Sequence, residues 1–147
     1  MLSEFSAFVS PVPGVAVIAL QYVDEFFITG AMDEFRSSIL FSLENKRLPA
    51  AIIEDTDFWH NHAGWFELSP KGDRVLNNLN ISYYPQQHDR NAVQIISAHK
   101  EILKTPVTEH DGLVVLLPDS FEMLHSMNKA MFKEILNKET LKSINLS

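Results

Sequence analysis

The chain contains no cysteine, which excludes disulfides, thiolate nucleophiles and cysteine-based zinc or iron–sulfur centres. Long hydrophobic runs are also missing. The longest near the N-terminus, Gly14 to Leu20, is far too short to cross a bilayer, so no membrane partner is expected. The first residues lack a basic segment, carry Glu4 and are broken by Pro11-Val12-Pro13-Gly14. They do not read as a secretory signal, and a cytoplasmic location is expected. Basic residues are scarce as well: twelve Lys and Arg face nineteen Asp and Glu, a formal charge of −7. That balance repels a phosphate backbone and argues against a nucleic-acid partner. There is no glycine-rich phosphate loop and no Gly-x-Ser-x-Gly nucleophile turn.

What is present suits an ordinary globular protein. With 147 residues, 46% hydrophobic and 21% charged, the chain reads as one domain over residues 1–147 that can bury a sizeable core without metal or disulfide support. Three short apolar, β-branched runs, 15–20, 50–53 and 113–117, have the look of strands buried on both faces. Met32, Phe35, Ile39 and Leu43 recur at helical spacing and predict a helix over 31–45. The resulting β-α-β unit predicts an α/β fold with a mixed or mostly parallel sheet. Ser69-Pro70 predicts a short helix through Val75, Leu76 and Leu79, and Ile81 to Tyr84 offers a further strand.

Ala92, Ile95, Ile96, His99, Ile102 and Leu103 fit one side of a helix over 89–104, capped by Asp89, with a strand at Val93 to Ile96 as the competing reading. Asp119 and Glu122 resemble a capping box that opens an amphipathic C-terminal helix over 119–138, striped by Phe121, Leu124, Met127, Met131 and Ile135. Met123, Met127, Met131 and Phe132 broaden the apolar surface of that helix into a candidate interface with a protein partner or with a second subunit in a homodimer.

The densest chemistry lies in Asp57-Phe58-Trp59-His60-Asn61-His62-Ala63-Gly64-Trp65-Phe66-Glu67. Trp59, His60, His62, Trp65 and Glu67 are candidate small-ligand contacts. In a strand His60 and His62 leave the same face and could share one divalent metal, with Glu67 completing the set. The string His60-x-His62-x4-Glu67 partly resembles the first cupin motif, which implies two histidines and a glutamate around a metal in a β-barrel; the flanking glycines are displaced and no second histidine motif follows. Gly64 to Leu76 resembles the wing strand and following helix of winged-helix regulators, although no basic recognition helix precedes it. His88-Asp89 resembles the metal-binding doublet of HD-type hydrolases, without the family's other ligands. Glu54, Asp55, Asp57 and Asp119 follow two of the apolar runs and could hold magnesium. No catalytic set is complete, so the expected function is that of a small acidic binding or regulatory protein acting by contact. A metal-dependent enzyme or ligand pocket centred on His60, His62 and the tryptophans is the alternative.

Overall fold

The computed structural model describes residues 14–28, 36–54, 58–87 and 90–146. Four strands form one antiparallel sheet in the order β1-β4-β3-β2: β1 Val15–Ile28, β2 His60–Leu68, β3 Arg74–Gln87 and β4 Arg90–Val107. A short helix α1, Ala50–Glu54, precedes β2, a long helix α2, His110–Ile135, follows β4, and α3, Lys138–Ser143, ends the described chain. The helix α2 lies over β4 and β1 on one face of the sheet.

This overturns the mixed or parallel sheet: every strand pair is antiparallel. Of the three predicted strands only 15–20 is one, as the first part of β1. The run 50–53 lies in α1, where Pro49 precedes two alanines of high helix propensity. The run 113–117 forms early turns of α2, with Val114 and Val115 exposed rather than buried. Residues 90–107, predicted as the helix 89–104, form the central strand β4; Asp89, its predicted cap, lies outside the described residues. Residues 75–79 belong to β3 and not to a helix. Of the predicted helix 31–45, residues 31–35 are outside the described residues and the remainder holds only a 3-10 turn at Ser37–Ile39. The C-terminal helix is present but begins at His110 and ends at Ile135, so Asp119 sits inside it and caps nothing.

The hairpin between β2 and β3 shows why the sequence turns where it does. The Ser69 hydroxyl accepts from the Asp73 amide at 3.1 Å, and the Ser69 carbonyl accepts from Gly72 at 2.8 Å. Gly72 has φ +82°, a conformation that side-chain-bearing residues rarely adopt. Ser69-Pro70-Lys71-Gly72 therefore reverses the chain into a strand, and the winged-helix likeness ends at that turn.

Alternation assigns faces. Odd positions of β2, of β3 up to Tyr83 and of β4, and even positions of β1 beyond the irregularity at Val15/Val17, point toward α2. One buried cluster joins Leu79, Ile81, Tyr83, Val93 and Ile95 of the sheet to Met131, Phe132 and Ile135 of α2, and to Leu40, Phe41 and Leu48 from the segment before α1. A smaller one joins Ile18, Val75 and Leu124. Each large side chain fully buried there contributes roughly 1.5–3 kcal/mol.

Candidate functional site

Between the two apolar clusters runs a row of polar side chains. Asn77 of β3, Ser97 and His99 of β4 and Asn128 of α2 are all buried, His99 at 1% exposure. Asn77 Nδ2 donates to Glu67 Oε1 at 2.6 Å, which fixes its Oδ1 toward His99 Nδ1, also at 2.6 Å. His99 Nδ1 therefore carries a proton. On its other side Nε2 lies 3.1 Å from Asn128 Oδ1, which accepts from Ser97 Oγ at 2.7 Å. Burial pushes the His99 pKa below the ordinary imidazole value, opposed by the Asn128 hydrogen bond and the Glu67 charge. A neutral His99 accepts at Nε2, so Asn128 must turn its amide NH2 toward it; the two protonation states correspond to two orientations of that amide.

At the Glu67 end of the row the structure opens into a cleft of about 260 Å³ lined by Arg47, Trp65, Glu67, His99, Met127 and Glu134 among others. The Arg47 guanidinium stacks over the Trp65 ring, 4.0 Å from its centroid, and Nε lies 3.3 Å from a Glu134 oxygen. Trp65 Nε1 is buried with no hydrogen-bond partner among the described residues.

The predicted ligand residues are thus divided. Trp59, Trp65 and Glu67 face α2; His60 and His62 leave the opposite face. The parity of the numbers decides this, because β2 runs without a bulge from 60 to 68. Trp59 Nε1 donates to Ser37 Oγ at 2.9 Å, and His60 Nδ1 lies 2.7 Å from Ser82 Oγ. His60 and His62 do share a face, but Glu67 is on the other side of the sheet from them. Among the described residues no three His, Asp or Glu side chains come together as a metal cluster. His88, Asp89, Asp55 and Asp57 are outside the described residues.

The predicted interface residues are also divided. Met131 and Phe132 are buried in the larger cluster, while Met123 and Met127 are half-buried against the smaller one. The helix spends its methionines on the sheet. Sequence reasoning placed His99 on the apolar side of a helix and missed its partners Asn77 and Asn128, for which spacing gives no signal across three separate elements.

Besides Val114, Val115 and Phe121 of α2 and Ile39, Leu43 and Phe58, large apolar side chains are left exposed on the other face of the sheet. Val17, Val23 and Phe27 of β1, Phe66 and Leu68 of β2 and Ile102 of β4 are exposed there, Phe66 at 61% and Leu68 at 70%. A groove of about 410 Å³ separates β1 from α2, lined by Tyr22, Asp24, His125 and Lys129 among others. Tyr22 Oη lies 2.7 Å from His125 Nδ1. Burial raises the Tyr22 pKa, aided by the Asp24 charge, and burial raises that of Asp24 itself.

Comparison with protein families, curated proteins and solved structures found no match for this chain. No described helix is long and apolar enough to cross a membrane.

Proposed function

We propose that this is an acidic, cytoplasmic binding or regulatory protein that acts by contact, docking a protein partner on the face of its sheet that no other described element covers rather than on its C-terminal helix. One observation carries the reading: large apolar side chains from three strands, Val17, Val23, Phe27, Phe66, Leu68 and Ile102, stand exposed on a single face. Exposed apolar side chains gathered on one face in this way mark interaction sites. Chemistry has less support, because the polar row between sheet and helix holds its groups in mutual hydrogen bonds and contains no activated nucleophile. A photo-crosslinking phenylalanine analogue at position 66, compared in cells with the same residue at the exposed helical position 115, tests the proposal. A discrete protein adduct from 66 alone is the expected result. No adduct from 66, or the same adduct from both positions, overturns it.

A small-ligand site is the second reading, favoured by the unpartnered Trp65 Nε1 at the cleft that Glu67 and Arg47 also line. It retains Trp65 and Glu67 from the predicted set and substitutes His99 for His60 and His62.

A further inference from the structure

The uncovered face has an internal order. Across the sheet from β1 to β2, over the length that all four strands share, its residues fall into five rows: Val17, Ile102, Arg74, Leu68; then Ala19, Lys100, Leu76, Phe66; then Gln21, Ala98, Asn78, Gly64; then Val23, Ile96, Asn80, His62; then Glu25, Gln94, Ser82, His60, with Phe27 and Ala92 beyond them. The middle of the five rows carries no large apolar side chain, and apolar side chains flank it on both sides. Both basic side chains in these rows, Arg74 and Lys100, lie on one side of it. The single acid, Glu25, lies on the other and accepts a hydrogen bond from Gln94 at 3.0 Å.

We infer that the occupant of this face is a second copy of the chain, stacked sheet against sheet about a two-fold axis that crosses the strands at the middle row. The inference rests on the docking reading above and names its partner. Size supports it. Four strands about 4.8 Å apart, all paired over roughly 30 Å, offer a footprint of roughly 600 Å², at the lower end of the roughly 600–1,000 Å² that each partner of a standard interface buries. Sheets stacked face to face pack about 10 Å apart through such interdigitated apolar side chains. Charge selects the axis. A two-fold across the strands lays the Arg74 and Lys100 rows over the partner's Glu25 end, and Phe66 over the partner's His62. A two-fold along the strands would oppose basic rows to basic rows, which an interface disfavours. The helices then lie on the two outer surfaces, where α2 packs Leu124, Met131, Phe132 and Ile135 on its own sheet.

Sedimentation equilibrium on the purified full chain reads the result directly. The expected species has twice the 16.7 kDa chain mass. Phe66→Lys should weaken the dimer by about tenfold or more, since it puts a charge in the apolar part of the interface. Glu25→Lys alone should weaken it, and Glu25→Lys combined with Arg74→Glu and Lys100→Glu should restore part of the loss. Circular dichroism checks that each variant is folded. A monomer at all concentrations overturns self-stacking; so does a dimer indifferent to Phe66→Lys, which would lie elsewhere. Failure of rescue overturns the axis. If the chain is monomeric while position 66 still crosslinks to a different protein, the docking reading stands and only the second copy falls.

Discussion

The two faces of the sheet are built from the same four strands and solve opposite problems. The face under α2 mixes large apolar side chains with a buried polar row, Asn77, His99, Asn128 and Ser97, whose members hydrogen-bond to one another and, at the cleft end, to the exposed Glu67. The opposite face keeps apolar residues in solvent beside scattered amides and histidines. Hydrophobicity alone does not tell core from surface here: burial follows whether a helix covers the side chain, and polar groups enter the core with partners, as along the row, and also without hydrogen-bond partners among the described residues, as at Glu101 and Ser120.

The largest expected effect breaks this comparison if it fails. Leu79→Ala, on the covered face, should cost about 2–5 kcal/mol, whereas Phe66→Ala on the uncovered face should stay within about 0.5 kcal/mol for the monomer. Urea unfolding at low protein concentration measures both, and comparable losses would mean that the second face is not open.

The polar row sharpens the comparison through pH. Unfolded imidazole titrates near 6.5, and burial holds folded His99 below that value. Below about 6.5 the unfolded chain therefore binds the extra proton, and stability falls as pH drops until the folded His99 itself titrates. The slope from this group is at most about 1.4 kcal/mol per pH unit. Asp24, raised by burial from 3.8, acts with the opposite sign, its contribution fading as pH rises through the carboxylate range. Denaturant melts of wild type and His99→Gln between about pH 5.5 and 7.5 isolate what His99 contributes; equal slopes in the two proteins would assign the pH dependence elsewhere.

A smaller loss than at Leu79, about 0.5–1 kcal/mol, is expected of Arg47→Ala, because its ion pair and its stacking on Trp65 are both partly exposed. Quenching of Trp65 fluorescence should change in parallel, and an unaltered signal would place the guanidinium away from the ring.

How much of this was legible in the sequence follows from the same two faces. The strand at 15–20 was readable as a short apolar run, though with Ala16, Val17 and Ala19 exposed it is not buried on both faces, and the body of the C-terminal helix was readable from its apolar spacing. The strand β4 was not. Ser97, His99 and Glu101 point inward while Ile96, Ala98 and Ile102 point outward, so the alternation inverts midway and the surviving apolar positions imitate a three-and-four period. The competing reading of Val93 to Ile96 as strand was the correct one. The run at 113–117 misled in the other direction, because β-branched residues entered a helix whose packing against the sheet overrides their preference. For the candidate site, β2 spacing told truly that His60 and His62 share a face. The same parity, carried on to 67, separates Glu67 from them.

The polar row also has a mechanical consequence. It divides the space between sheet and helix, leaving Ile18, Val75 and Leu124 on one side and the larger cluster on the other. Amide protons near the sparser end should therefore exchange with solvent earlier, so that the molecule loosens from its helix entry toward its tail instead of melting all at once.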